Sequence, residues 1–136
     1  MNNIMAIGEY KGDLRTEAKH LRSGQAIITD APVDNMGKGE AFSPTDLVCA
    51  ALSSCMMTIM GQVADREGID LRGLRTEIVK VMASNPRKIA EIGITFSHTN
   101  LVASDVQKQK LMNAARTFPV ALSLDGDLKQ TVTFNF

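Results

Sequence analysis

The longest apolar stretch of the chain lies in its middle. From Leu47 to Ala64 no residue carries a formal charge, and Leu, Val, Ala, Ile and Met fill every side of a helical wheel. Its start is written in the residues just before. Ser43 suits a helix cap, Pro44 suits the first helical position, and Asp46 places a carboxylate near the positive end of the helix dipole. Gly68 suits the end, so the pattern predicts a helix over Pro44–Glu67. A helix this apolar all round is not a surface helix and has to be surrounded by protein.

On either side the periodicity changes to two. Leu14–Leu21 reads as a strand, Ser23-Gly24 as a turn, and Gln25–Thr29 as a second strand. Residues 30–41 are rich in Gly, Pro, Asn and Asp and read as a connecting loop. After the helix, Leu74–Ala83 alternates with both faces partly apolar, Ser84-Asn-Pro-Arg87 turns the chain, and Lys88–His98 puts Ala90, Ile92, Ile94 and Phe96 on one face. These two predict an antiparallel hairpin. Ser104, with Gln107 at the capping-box position, starts a second helix that runs to about Thr117, before Pro119. A short turn over Val120–Leu124 leads through Asp125-Gly126 to a last strand with Leu128, Val132, Phe134 and Phe136 on one face. The expected class is α+β: antiparallel sheets around a long buried central helix, in one domain over 1–136. The central helix is too apolar for a small monomer to cover, which predicts a homodimer.

Composition narrows the function classes. Fifteen basic and fifteen acidic residues cancel across 136 positions, leaving no net field to draw nucleic acid or anionic lipid. With one Tyr and no Trp there is little for bases to stack on. Leu47–Ala64 approaches membrane-spanning length, yet Ser53, Ser54, Thr58 and Gln62 interrupt it and amphipathic strands flank it. The expectation is a buried helix and no membrane partner. The N-terminal residues lack the basic start and long apolar run of a signal peptide. Two cysteines without such a signal fit reduced thiols in the cytoplasm.

Cys55 is the candidate for chemistry. On residue type alone, a cysteine among Ala, Leu and Met is either a small apolar filler or a reactive group kept from water. It lies about three turns into the helix, beyond reach of the helix dipole, so a thiolate there needs a nearby cation. Cys49 is six residues earlier, about 240° around and 9 Å along the axis, and cannot bridge to Cys55 within an intact helix. Arg15 is a candidate cation, with His20 and Arg22 as alternatives and an exposed strand arginine as the plain reading. His20 and His98 lack metal-ligand neighbours in sequence, so neither a metal nor a cofactor is expected. Gly37-Lys-Gly39 lacks the length and setting of a phosphate loop.

The order Ser43-Pro-Thr-Asp-Leu47, an Ala-rich stretch and Ser54-Cys55 on one helix resembles the OsmC/Ohr family of hydroperoxide-handling proteins. Pro44 to Cys55 reproduces that family's eleven-residue spacing from proline to peroxidatic cysteine. Tyr10–Arg15, Thr29–Pro32 with Gly37–Gly39, and Ala114–Leu122 extend the likeness over nearly the whole chain. The resemblance implies intertwined homodimers with sites at the interface, Cys55 as the reactive thiol and Arg15 as its activating cation. It also implies that small organic hydroperoxides are the substrates. There are two departures. Phe118 stands where the second, resolving cysteine would be, which leaves an apolar pocket wall and calls for an external thiol reductant. Thr45 stands at the same pocket where many members carry a glutamate thought to orient the arginine. The alternatives are a non-catalytic ligand-binding or stress-response protein of the same fold, and a single-cysteine redox sensor.

Overall fold

The computed structural model describes residues 3–116, 118–124 and 126–136. Its chain divides into two compact units, Met1–Val48 and Cys49–Phe136.

The first unit is a three-stranded antiparallel sheet in the order β1 (Ala6–Gly12), β2 (Arg15–His20), β3 (Ala26–Asp30). A two-residue connection, Asp13-Leu14, joins β1 to β2. Both residues are left-handed, at φ 54° and 62°, the geometry whose twist matches a tight hairpin. The register sets Arg15 opposite Asp30 and Ala18 opposite Ile27. The predicted loop after β3 contains a short 3-10 turn, Val33–Asn35, and the chain then enters α1 (Pro44–Glu67). Large apolar side chains remain open throughout this unit: Ile4, Met5, Ile7, Tyr10, Ile27, Ile28 and Phe42 are all exposed.

The second unit holds most of α1 and a sheet in the order β4 (Arg75–Ala83), β5 (Lys88–Ser97), β6 (Lys129–Asn135). The β4–β5 hairpin is antiparallel as expected, but β5 and β6 run parallel, so this sheet is mixed rather than purely antiparallel. A parallel pair needs a long crossover, and α2 (Asp105–Ala114) with α3 (Pro119–Ser123) supplies it. The capping box at Ser104 and Gln107 forms in both directions. α2 ends at Ala114, short of the predicted Thr117, which lies outside the described residues. The predicted turn after Pro119 is a single helical turn that Pro119 opens. The core face of the sheet is the expected one. Ile92, Ile94 and Phe96 are fully buried, Ile94 is level with Ile78 and Val132, and the Phe96 and Phe134 rings stack at 5.2 Å.

α1 meets this core with one stripe. Cys49, Leu52, Ser53, Met56, Met60 and Ala64 are buried, at the three- and four-residue spacing of a single face. Buried Ser53 Oγ lies 2.8 Å from the Oγ1 of half-buried Thr76 on β4, so its hydroxyl has a partner. The helix closes as the sequence indicates. Gly68 is left-handed at φ 68°, and the Ile69 N–H donates to the Ala64 carbonyl at 2.9 Å. α1 has the length and composition of a membrane span, yet its buried stripe belongs to this core. The enclosure expected on all sides is only half present within one chain: Ala51, Ser54, Thr58 and Gln62 are exposed, and Val48, Cys55, Met57, Ile59 and Val63 are half-buried.

Candidate functional site

The start of α1 is fixed by reciprocal bonds. The Asp46 N–H donates to Ser43 Oγ at 3.1 Å, and the Ser43 N–H donates to Asp46 Oδ2 at 3.0 Å. Asp46 thus acts as a cap. Thr45 beside it is half-buried, with Oγ1 3.2 Å from Ser43 Oγ. Cys55 follows from the helical phase. It lies about 100° around the axis from Met56 and so off the buried stripe. It is half-buried with a free thiol, whereas Cys49 is buried within the stripe as a core residue.

Arg15 is not the exposed strand arginine of the plain reading. Its Nε and Nη2 donate to Asp30 Oδ1 and Oδ2, both at 2.7 Å, as a parallel bidentate pair. Nη2 also donates to Glu40 Oε1 at 3.1 Å, and the Glu40 backbone N–H donates to Asp30 Oδ2 at 3.1 Å. Asp30 is fully buried and Glu40 is exposed. The guanidinium holds the Asp30 carboxyl below the usual carboxylate range, and the Asp30 carboxylate in turn raises the Arg15 pKa. Asp30 and Glu40 are the members of this group that sequence reasoning missed. The sequence carried no local signal for Asp30, because only the observed register, with His20 bonded to Gln25 across a four-residue connection, sets Asp30 level with Arg15.

Phe118 is buried against a cavity of about 320 Å³ in the second unit. Met56, Val132 and Phe134 supply its other large apolar walls, and Gln130 and Arg116 its polar ones. The cavity reaches α1 through Met56, and Cys55 is not one of its lining residues. Arg116 and Gln130 were not singled out from sequence, since only the parallel placement of β6 brings Gln130 to this wall.

The two histidines sit elsewhere. His98 donates from Nε2 to the Arg72 carbonyl at 2.8 Å and accepts the Asn100 N–H at Nδ1, so both its ring nitrogens are engaged. His20 Nδ1 lies 2.6 Å from Ser23 Oγ in the β2–β3 turn. Among the described residues no group of His, Cys, Asp and Glu is arranged to hold a metal ion.

A long capped helix with a half-buried free cysteine, on an α+β scaffold of two three-stranded sheets, defines a recognisable class of small protein. The sequence profile described as OsmC-like protein matches residues 37–133, and the chain belongs to that family. A protein from Psychrobacter arcticus, described as an osmotic stress induced and detoxification response protein, is 45% identical. That match covers 99% of this chain and 98% of the other, with a TM-score of 0.94. An OsmC-like protein from Mycoplasma pneumoniae has a TM-score of 0.79 at 16% identity, over 99% and 98% of the two chains. An organic hydroperoxide resistance protein from Legionella pneumophila has a TM-score of 0.73 at 16% identity, over the full length of both. No curated protein matches the chain.

Proposed function

We propose that this protein reduces organic hydroperoxides through a single reactive thiol, Cys55, with Arg15 supplying the cationic donors. The observation that carries this reading is the continuous helix with Pro44 at its first position and a half-buried, free Cys55 eleven residues on, in a chain of the OsmC-like family. The Cys55 thiolate attacks the terminal peroxide oxygen. An S–O bond forms as the O–O bond breaks, the sulfur loses two electrons, and the alkoxide leaves to be protonated to an alcohol. Arg15 N–H groups would stabilise both the thiolate and the alkoxide. Phe118 cannot resolve the sulfenic acid. Two equivalents of an external thiol therefore close the cycle, giving a disulfide and water, which suits a reducing compartment such as the cytoplasm. Thr45 would line the site as a neutral side chain.

The same reading includes a homodimer. The outer flank of α1 is only half-buried, and the first unit leaves Tyr10 and Ile27 open on one face of its sheet and Ile7 and Ile28 on the other. A three-stranded sheet with open apolar residues on both faces calls for a further layer, and a second copy of the chain supplies one.

A second reading, retention of a small apolar molecule without turnover, is favoured by one observation. The Phe118 cavity is lined through Met56 and not through Cys55. Consumption of cumene hydroperoxide by the purified protein with monothiol, dithiol and protein-dithiol reductants separates the two. Catalytic consumption with at least one reductant, lost in Cys55→Ser, supports the peroxidase. Binding without consumption supports the alternative.

A further inference from the structure

The most fully built polar cluster in the described chain is the one around Arg15, and it lies within the first unit. A guanidinium has five N–H donors in a fixed plane. Here Nε–H and one Nη2–H go to Asp30, and the second Nη2–H goes to Glu40. Among the described residues, Nη1 has no acceptor.

Asp30 is itself fixed from several sides. Its backbone N–H donates to the Phe42 carbonyl at 3.1 Å, just before α1. The next residue, Ala31, donates to the Leu14 carbonyl at 3.1 Å, beside Arg15. Its Oδ2 also accepts the Glu40 N–H. An aspartate has a short side chain with few rotamers, so a fully buried one tied down in this way is a rigid anchor. Thr45, lacking a carboxylate, cannot grip a guanidinium in the same manner.

We infer that Asp30 is the positioning residue for Arg15: it holds the Nε–Nη2 edge in a fixed direction and leaves the two Nη1 hydrogens as directed donors for an anion. This rests on the proposed role of Arg15 in hydroperoxide reduction. The charge count sharpens it. One guanidinium faces two carboxylates, with Lys38 nearby as a weaker positive influence on Asp30. The cluster is therefore not a strong positive field, and its help to an anion has to come from directed N–H donors. The Glu40 carboxylate, exposed and held by one bond from Nη2, adds negative charge beside the guanidinium without occupying Nη1.

Two explanations of an Asp30 effect differ in sign. If Asp30 only contributed charge, removing it would favour the Cys55 thiolate and lower the pH midpoint of its alkylation. If Asp30 positions Arg15, removing it misplaces the donors and raises that midpoint. The test uses the full chain with Arg15→Lys, Asp30→Asn, Asp30→Glu and Glu40→Gln. Alkylation of Cys55 by iodoacetamide is followed across pH, and its single-turnover oxidation by cumene hydroperoxide is followed against peroxide concentration. Arg15→Lys should slow oxidation on the order of a hundredfold, as loss of an oxyanion donor does. Asp30→Asn should raise the alkylation midpoint and slow the limiting oxidation rate about tenfold or more, with half-saturation unchanged. Asp30→Glu should fall between that variant and the parent, and Glu40→Gln should lower the midpoint. A slow Arg15→Lys alongside Asp30 variants of parental rate and midpoint, or a lowered midpoint in Asp30→Asn, would overturn the positioning role alone. Parental reactivity in Arg15→Lys would overturn the arginine's role and this inference with it. Should Asp30→Asn fail to fold, Asp30→Glu decides, parental behaviour counting against the inference.

Discussion

At the residue scale, buried Asp30 on β3 and exposed Asp70 after α1 are both carboxylates gripped by arginines. Arg15 holds Asp30, and Arg72 holds Asp70 at 2.7 and 2.9 Å. Both carboxyl pKa values are lowered in the folded chain, first by the hydrogen bonds from their arginines, that of Asp70 to about 2. A lowered folded-state pKa means stability that is present above the unfolded value, near 3.8, and lost as pH falls through the folded value. Denaturation midpoints should therefore hold from pH 7 to about 5 and fall below about pH 4. In Asp30→Asn the stability should already be lower at pH 7, and its further loss towards pH 2 should be shallower than in the parent. A parallel decline in both would remove Asp30 from the account. Of these residues, sequence marked Arg15 but not its partner. A carboxylate fifteen positions away becomes a neighbour only once the hairpin register is known, and register depends on turn geometry as much as on residue type.

At the scale of elements, the helix boundaries were the most legible part, because capping is local chemistry. Ser43 with Asp46, Ser104 with Gln107 and Gly68 each act within a few residues, and each forms the bond its type indicates. Two substitutions test this. Ser104→Ala removes the side-chain acceptor for the Gln107 N–H and should cost about 1 kcal/mol. Gly68→Ala should cost roughly 1–2 kcal/mol through its left-handed backbone alone, since an added Cβ would meet no atom within 4 Å. Urea denaturation checks both. The inward face of β5 was legible for a related reason, since its strict period of two over Ala90, Ile92, Ile94 and Phe96 leaves one choice of inward side. Ile94→Ala, at a fully buried position between Ile78 and Val132, should cost about 2–5 kcal/mol. The parallel pairing of β6 was not legible. Its alternation fits either direction, and direction is set by the α2–α3 crossover, whose path depends on tertiary packing.

At the scale of the whole molecule, the charge-free stretch of α1 was read from sequence as a helix surrounded by protein, and one chain surrounds only its Cys49–Ala64 stripe. Cys55 falls on the flank left half-buried, where the proposed second copy would pack. Light scattering at micromolar concentration should give the mass of a dimer, and a well-ordered monomer would remove that cover. The family was legible in the proline-to-cysteine spacing, whereas the chemistry was not, because spacing fixes where a thiol lies and not what activates it. The account stands or falls on which thiol reacts. Treatment of the purified protein with a stoichiometric organic hydroperoxide, trapping of sulfenic acid and mass spectrometry of the peptides tests this directly. The account predicts the sulfenate, or its adduct with added thiol, on Cys55, with Cys49 unmodified in the core stripe. Modification of Cys49 alone, or two equally inert cysteines, would contradict it.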